Sequence, residues 1–269
     1  MSNETYQLAG NAAEIYEAQK VPAIFAPLAE ATLDVIALNA DDIILDVACG
    51  TGIVARTARR RLGSGPRIVG TDLNEGMIAM ARSLTDDNAQ SVEWHVADVT
   101  ALPFADATFS VAICQQGIQF FPDLRKALRE IHRVMRRDGS ILFSVWAGAS
   151  AFFTALADAL SRHVSDEIGS RSLAPFAFDG IERLETELKT LGYKDVSRTT
   201  VTVDRVIDMP ELALPKEIMG NPVGPTVEAA GEAVMRQIVE DTIGALSAFR
   251  HGSGLVVPQH AHLIIAKGR

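Results

Sequence analysis

The amino-acid sequence predicts an α/β protein in which strands and helices alternate. Between residues 43 and 146, short apolar segments are separated by segments with helical periodicity. The first apolar segment ends at Asp46-Val47 and leads into a Gly-x-Gly turn and a helix, and two later segments end near Asp72 and Asp98. Because open α/β sheets bind ligands at the carboxyl ends of their strands, these observations predict a ligand site at one edge of the sheet.

Seven strands are predicted in chain order. They cover residues 43–47, 67–71, 91–96, 110–114, 140–146, 196–206 and 255–267. Helical segments separate the first five strands, as an α/β protein requires. No internal repeat, low-complexity tract or flexible linker is visible, so residues 1–269 are predicted to form a single domain.

Three segments lie outside the predicted sheet, at residues 1–40, 147–178 and 208–254. Long excursions from a compact α/β domain usually carry function, so we expect the N-terminal helices and the two insertions to cover the site. Their aromatic and methionine side chains suit a flat or apolar small molecule, although most of them are expected to pack the cover onto the sheet. These side chains are Phe25, Phe152, Phe153, Phe176, Phe178, Met209, Met219, Met235 and Phe249.

The turn after the first strand is suited to a charged small molecule. Gly50 and Gly52 lack a Cβ atom, so the backbone can turn tightly and a ligand can lie against it. The helix that follows offers free N–H groups and the positive end of its dipole to an anion. Asp46, at the end of a buried strand, requires a cation or a hydrogen-bond donor. The predicted ligand therefore carries both charges, as an amino acid does.

The next two aspartates suit a nucleoside. Asp72 follows Gly52 at the spacing of about 20 residues at which a carboxylate accepts hydrogen bonds from ribose hydroxyls. Asp98 follows the third predicted strand, where it can accept a hydrogen bond from an adenine amino group. The ligand is thus expected to join an amino acid to a nucleoside.

Four sequence motifs follow one another in this region. They are Leu-Asp-Val-Ala-Cys-Gly-Thr-Gly at 45–52, Gly-Thr-Asp-Leu-Asn at 70–74, Ala-Asp-Val at 97–99, and Leu-Pro-Phe at 102–104 with Phe109. In this order they resemble the class I S-adenosylmethionine (SAM) dependent methyltransferases. The resemblance extends from about residue 16 to residue 146, and it is greatest to the small-molecule branch that includes the ubiquinone and menaquinone biosynthesis methyltransferases.

The resemblance implies a Rossmann-like seven-stranded sheet in the order 3-2-1-4-5-7-6, with the last strand antiparallel, helices on both faces and helical cover insertions. It implies SAM as the cofactor, with the methionine moiety beside Gly52. The implied cofactor contacts are Asp46, Ala48, Gly50, Gly52, Asp72, Leu73, Met77, Asp98, Val99 and Gln115. The implied reaction is in-line SN2 methyl transfer to a small, hydrophobic or aromatic acceptor.

Such a reaction asks mainly for orientation, because the sulfonium is already an activated leaving group and needs no metal ion. Gln116 follows the fourth strand and is predicted to orient the acceptor, while Gln115 faces the cofactor. His163, in the first insertion, is a candidate base. Tyr16 resembles an N-terminal position that closes over the cofactor in related enzymes. His260 and His262 alternate on the last strand, but no third ligand has matching spacing, so no metal site is predicted.

Composition excludes several other classes. The net charge of −9 opposes a phosphate backbone, so nucleic acid is not expected as a partner. No apolar stretch is long enough to span a bilayer, and the N-terminus lacks the pattern of a signal peptide. The two cysteines, Cys49 and Cys114, are interpreted as buried thiols in a reducing cytoplasm.

Two alternatives remain open at this stage. Residues 50–55 also satisfy the Gly-x-Gly-x-x-Ala pattern of NAD-dependent oxidoreductases, and Asp72 has the matching spacing. Against this, Asp46 would face a pyrophosphate unfavourably, and no Tyr-x-x-x-Lys follows. The second alternative is a SAM-binding interaction module without transferase activity.

Overall fold

An eight-stranded sheet lies at the centre of the structure, a computed structural model that describes residues 12–85 and 92–268. The strands are β1 Ile43–Val47, β2 Arg67–Asp72, β3 Glu93–Val96, β4 Phe109–Gln115, β5 Met135–Trp146, β6 Lys194–Ile207, β7 Arg250–His251 and β8 Gly254–Lys267. Their order across the sheet is β3-β2-β1-β4-β5-β8-β6, and β7 pairs with β8. Strands β1 to β5 are parallel, and β8 is antiparallel to both of its neighbours, β5 and β6.

This topology confirms the predicted sheet order, with β8 as the antiparallel strand inserted between β5 and β6. The described residues contain one strand more than predicted, because the two-residue β7 forms a hairpin with the start of β8. Arg250 and His251 are both exposed and carry no alternating pattern that sequence reasoning can detect. The predicted third strand began at Ser91, which lies outside the described residues, and β3 itself begins at Glu93.

The fifth strand is longer than predicted. It begins at Met135, which pairs with Phe109, and the register shifts before Ser140 pairs with Val111. The intervening Arg-Arg-Asp-Gly sequence is polar and irregularly paired, so the apolar pattern on which the prediction relied begins only at Ile141.

Helices cover both faces of the sheet. The chain begins with α1 Ala12–Ile15, which continues as a π-helical segment, Tyr16–Phe25. The remaining helices are α2 Ala26–Asp34, α3 Ile53–Leu62, α4 Glu75–Ser83, α5 Leu124–Val134, α6 Ala151–His163, α7 Asp166–Ser172, α8 Ile181–Thr190, α9 Pro210–Met219, α10 Gly224–Ala230 and α11 Glu232–Ala245. Short 3₁₀ turns occur at Ile118–Phe120, Ala174–Phe176 and Ser247–Phe249. None of the helices described is long and apolar enough to cross a membrane.

The strand residues alternate between two hydrophobic cores, as the period of two along a strand requires. In β1, Leu45 and Val47 pack on the side of α5 and α8, whereas Ile44 packs on the side of α2, α3 and α4. The two cysteines are free and buried, as predicted, and burial raises the pKa of both thiols.

The two insertions share a third hydrophobic core, which we call the insertion core. It joins buried side chains of α6, α9, α10 and α11 with the ends of β6 and β8. Its members include Phe152, Phe153, Leu156, Leu160, Ile207, Leu214, Ile218, Val227, Ile238, Ile243, Leu255 and Val257. The N-terminal segment packs separately, through Ile24 and Leu28 against Trp146, Val203 and Ala261. The two insertions and part of the N-terminal segment therefore pack on the antiparallel half of the sheet.

Candidate active site

The loop between β1 and α3 turns sharply. Three of its five residues have left-handed backbone: Ala48 at φ +53°, Gly50 at +56° and Gly52 at +83°. Gly52 is the N-cap of α3, so the free N–H groups of the helix begin directly after the turn. The loop lies at the carboxyl end of the central parallel strand, where the sequence predicted a ligand site.

Asp46 is buried at the end of β1, with 1% of its surface exposed. Its Oδ2 accepts a hydrogen bond from the backbone N–H of Ala55, in the first turn of α3, at 3.0 Å. Loss of water raises the pKa of Asp46 to about 7; the Ala55 N–H opposes the rise, and the nearby Asp72 charge adds to it. The structure thus supplies the hydrogen-bond donor that the sequence demanded, from the helix that follows the loop.

Asp72 joins the first loop to the second. Its Oδ2 accepts from the backbone N–H of Gly50 at 2.8 Å, and its Oδ1 accepts from the N–H of Asn74 at 2.8 Å. Burial raises the pKa of this carboxyl group, and the N–H groups of Asn74, Gly50 and Leu73 oppose the rise. A carboxylate oxygen has two lone pairs, so each oxygen can still accept a hydroxyl hydrogen. This arrangement fits a ribose held at the tip of β2.

The remaining predicted cofactor contacts differ in accessibility. Leu73 is 52% exposed beside Asp72, Asp98 is exposed after β3, and Val99 is half-buried. Met77 is only 7% exposed, and its N–H donates to the side chain of Asn74, which caps α4. An adenine over β2 and β3 can therefore contact Leu73 and Asp98 directly, whereas the Met77 side chain packs inward.

The structure gives a different reason for the glycine at position 52 from the one expected. A Cβ atom on Gly52 would lie 2.1 Å from Cη2 of Trp94, so an indole ring of β3 fills the space expected for the methionine moiety. The same ring lies against Gly70, where a Cβ would be 2.3 Å from Cζ3. Its Nε1 donates to Oγ1 of Thr85 at 3.1 Å. Sequence reasoning missed Trp94, although a glycine inside strand β2 was a signal of close approach.

Tyr16 lies over the glycine loop. The space beside Gly50 that a Cβ would fill is 3.9 Å from the Cε1 and hydroxyl oxygen of Tyr16. The Tyr16 ring stacks on Phe25, with centroids 5.1 Å apart. Glu17, next along the π-helical segment, pairs with Arg56 of α3 at 2.7 Å. This ion pair attaches the N-terminal segment to the helix that the glycine loop begins.

Gln115 and Gln116 lie at the end of β4, and both side chains have protein partners. Gln115 accepts from the Thr32 hydroxyl at 3.0 Å and donates to the carbonyl of Phe25 at 3.2 Å, which links it to the N-terminal segment. Gln116 is 7% exposed and has a left-handed backbone at φ +57°. Its Nε2 lies 3.4 Å from the Ser144 hydroxyl, and its Oε1 accepts from Gln119. Gln115 is thus the one that reaches the covering segment.

His163 is the last residue of α6. Its Nε2 is 2.8 Å from Oδ2 of Asp241 in α11, and Arg162 pairs with the same carboxylate. The contacts of His163 are those of a helix–helix interface.

The histidines of β8 pair with a neighbouring strand. Nδ1 of His260 lies 2.8 Å from the Thr202 hydroxyl, and Nδ1 of His262 lies 2.9 Å from that of Thr200. Within residues 12–85 and 92–268, no group of three His, Cys, Asp or Glu side chains is placed to hold a metal ion.

A row of aromatic rings leads away from the glycine loop. It starts at Tyr16 and Phe25, continues to Trp146 at 6.1 Å and Phe176 at 6.2 Å, and ends at Phe153, 4.3 Å from Phe176. These rings come from the N-terminal segment, the end of β5 and the first insertion. The row is apolar, and its successive rings are tilted by 25° to 44° to one another.

Comparisons with known proteins identify a methyltransferase domain in the sequence. Residues 45–143 match the family described as methyltransferase domain. The chain is 33% identical over 158 residues to the malonyl-[acyl-carrier protein] O-methyltransferase of Serratia marcescens, covering 57% of this chain and 58% of that protein. It is 26% identical over 181 residues to the demethylmenaquinone methyltransferase of Lactobacillus johnsonii, covering 62% and 73%. The chain thus spans little more than half the length of the first of these relatives.

The fold is also similar to that of a known methyltransferase. The phosphoethanolamine N-methyltransferase 2 of Haemonchus contortus, solved with S-adenosyl-L-methionine, superimposes with a TM-score of 0.59 over 96% of this chain and 57% of that one. At 18% sequence identity this likeness concerns the fold alone. Residues 45–143 therefore match a methyltransferase domain, and the fold is similar to that of a SAM-dependent methyltransferase.

Proposed function

We propose that this chain transfers a methyl group from SAM to a small, hydrophobic or aromatic acceptor by in-line SN2 displacement. The observation that carries the proposal is the hydrogen bond from the Gly50 amide to the Asp72 carboxylate. It fixes the glycine loop, which is suited to an amino acid, against the acid that is suited to a ribose. A ligand that joins an amino acid to a nucleoside fits across both loops.

The residues of this edge fit SAM chemically. Asp72 offers lone pairs to the ribose hydroxyls, Leu73 offers an exposed apolar surface to the adenine, and Asp98 offers an acceptor to its amino group. The Asp46 carboxyl group, whose pKa is about 7, lies buried at the start of the loop, and the cationic groups of a bound ligand would favour its ionised form. Gly50 and Ala48 contribute backbone to the methionine moiety. When bound, SAM supplies a methyl group on a sulfonium that leaves as a neutral thioether.

The aromatic row supports an apolar acceptor. Tyr16, Phe25 and Trp146 extend from the glycine loop towards the insertion core, so a flat ring can lie along them. Excluding water and holding the nucleophile in line with the methyl carbon are the chain's contributions, and orientation of this kind is worth about 7 kcal/mol or more in favourable cases. The two relatives described are named for different acceptors, so we propose only the chemical class of the acceptor.

Among the three catalytic candidates, the geometry favours Tyr16. It lies over Gly50, where its ring closes the cofactor loop and its hydroxyl can orient an acceptor. Gln116 is proposed to hold the left-handed turn after β4 through Ser144 and Gln119. His163 is proposed to stabilise the contact of α6 with α11 through Asp241. Gln115 is proposed to position the N-terminal segment over the cofactor.

We also propose the organisation of the whole chain: one domain in which residues 1–40, 147–178 and 208–254 cover the site, acting in the cytoplasm on a small molecule. The shared insertion core supports this, because the two insertions pack as one body over the end of the sheet.

Calorimetric titration with SAM, its demethylated product and NAD tests the cofactor. We expect the first two to bind with one site per chain and NAD not to bind. Incubation with methyl-labelled SAM and a panel of phenols, hydroquinones and aliphatic carboxylic acids then tests transfer. Binding of NAD without SAM would support the oxidoreductase, and SAM binding with no labelled product across the panel would favour the interaction module.

A further inference from the structure

A cavity lies beside the π-helical segment, and no residue of the glycine loop is among those that line it. It has a volume of about 510 Å³ and is enclosed by that segment, the end of β6 and helix α9. Its lining is mostly apolar and includes Ala18, Pro22, Phe152 and Leu214. Nothing in the methyl-transfer site uses it. We call it the Arg205 pocket, after the charged side chain that it contains.

Arg205 occupies an inward-facing position of β6, between the buried Val203 and Ile207, and is only 3% exposed. Its guanidinium lies over the rings of Phe152 and Phe153, 5.2 and 4.8 Å from their centroids. Its Nε is fully buried and has no hydrogen-bond partner among the residues that the structure describes. Buried guanidinium groups normally have their N–H donors satisfied, so an unsatisfied guanidinium that lines a cavity is a site for an acceptor at its other nitrogens.

One buried carboxylate is shared between two cations. Glu217 of α9 lies 3.7 Å from Arg205 Nη1 and 3.7 Å from Lys20 Nζ. Lys20 also donates to the Gly220 carbonyl at 3.2 Å and to the Asn221 side chain at 3.3 Å, whereas Nε of Arg205 has no hydrogen-bond partner among the described residues. Asp208 and Lys216 of the lining are exposed and opposite in charge. The guanidinium of Arg205 is therefore the buried cation with fewer partners.

We propose that the Arg205 pocket binds an apolar molecule that carries one carboxylate, with the carboxylate on the guanidinium of Arg205. The guanidinium is a donor-only group that suits a carboxylate, and a monoanion suits this site because Glu217, 3.7 Å from Arg205, would repel a second negative charge. The apolar lining accommodates the rest of the molecule, and the volume lies in the range of small-molecule sites. Exposed apolar side chains at the mouth, Met209 at 56% and Leu212 at 61%, give such a molecule a way in.

Titration of the whole chain with decanoate, in the absence of SAM, tests this site. We expect decanoate to bind with one site per chain, and decanol, which has the same alkyl chain without the charge, to bind at least about tenfold more weakly, the loss expected for charge-assisted hydrogen bonds. Decyl phosphate serves as the dianion and should bind more weakly than decanoate. Equal binding of decanoate and decanol, or tighter binding of decyl phosphate, would overturn the assignment.

Two variants separate a ligand anchor from a purely structural cation. Arg205→Lys keeps the charge but loses the planar edge, so decanoate affinity should fall about tenfold while decanol affinity stays unchanged. Glu217→Gln removes the competing negative charge, so decanoate should bind more tightly than to the parent chain. If Arg205 has only a structural role, both changes should leave decanoate affinity unaltered.

A third variant, at the exposed mouth of the pocket, tests ligand entry without changing a buried residue. Leu212→Asp places a negative charge where the ligand enters and should weaken decanoate binding, whereas Leu84→Asp, at an exposed apolar residue of another region, should not. If both variants bind decanoate like the parent, the ligand does not enter this pocket and the proposal fails. SAM titration of the same samples reports on the methyl-transfer site separately.

Discussion

The Asp46 carboxyl group is buried away from water at the end of β1, and burial raises its pKa to about 7. A carboxyl group of the unfolded chain titrates near pH 3.9, so between these values the folded chain holds a proton that the unfolded chain has released. As far as this group is concerned, the free energy of unfolding is therefore highest below about pH 4. It falls by on the order of 4 kcal/mol as the pH rises to about 7.

Asp46→Asn should remove this dependence, because the amide does not ionise and its oxygen still accepts from Ala55. Chemical denaturation at pH 5 and pH 8 gives the free energy of unfolding at each pH. The parent chain should lose about 2–3 kcal/mol more than the variant between the two. Parallel pH profiles for the two proteins would mean that Asp46 is ionised in the fold throughout.

Asp72→Ala removes the acceptor for the ribose and also the bond that ties Gly50 to β2. The loss of a hydrogen bond to a charged group is worth about 1.5–3 kcal/mol, so SAM affinity should fall about ten- to hundredfold. Isothermal calorimetry measures this, and circular dichroism checks that the fold is retained. An unchanged SAM affinity would count against the whole cofactor assignment.

Gly52→Ala strains a left-handed turn and drives a Cβ into the ring of Trp94. The two costs together are on the order of 2–4 kcal/mol of unfolding free energy. Gly148→Ala is the control, since Gly148 has a similar positive φ, at +86°, but has open space beside it. Thermal unfolding should therefore show a clearly larger loss at position 52. Equal losses would show that the indole moves aside at no cost.

At the scale of the elements, the π-helical segment is held over the glycine loop by the ion pair of Glu17 with Arg56. Glu17→Gln should loosen this contact and weaken SAM binding by about fivefold, the size of a partly buried ion pair. Glu30→Gln is the control, because Glu30 pairs with Arg60 and Arg61 of the same helix α3 from an exposed position on α2. A similar effect of both changes on SAM affinity would remove the special role of the π-helical segment.

The two insertions are expected to move as one element, because α6, α9, α10 and α11 share the insertion core. Hydrogen exchange followed by mass spectrometry should show their amides slowing together when SAM and an acceptor are both bound. The parallel strands β1 and β4 provide the internal reference. Identical exchange in the apo and ternary samples would mean that the cover is purely structural.

At the scale of the whole molecule, the sequence alone was sufficient to predict the parallel half of the sheet. Apolar runs such as Ile43–Val47 are buried on both faces, so the strand and its neighbours are recognisable from composition alone. The antiparallel order at the other edge came from the family resemblance, and the structure confirms it. The start of β5 at Met135 was missed because a polar, irregular stretch hides it.

The candidate site was predictable where backbone chemistry defines it. Glycines at a turn and acids at strand ends identify the loops that Gly50 and Asp72 form, whichever side chains surround them. Partners from distant segments were not predictable: Gln115 meets Thr32, and His163 meets Asp241, only after the chain has folded. Arg205 was missed for a similar reason, since an alternating strand does not reveal which of its faces a later helix will cover.

The indole of Trp94 restricts which residues can occupy positions 52 and 70 in related proteins. Its ring fills the places that side chains at positions 52 and 70 would need, so the three positions are free to change only together. Relatives with a small residue in place of Trp94 should tolerate alanine or serine at either glycine, and relatives that keep the tryptophan should keep both glycines. The second glycine of the Gly-x-Gly turn is therefore maintained here by a neighbouring strand as well as by the cofactor, and its substitution in a relative is no sign that SAM binding has been lost.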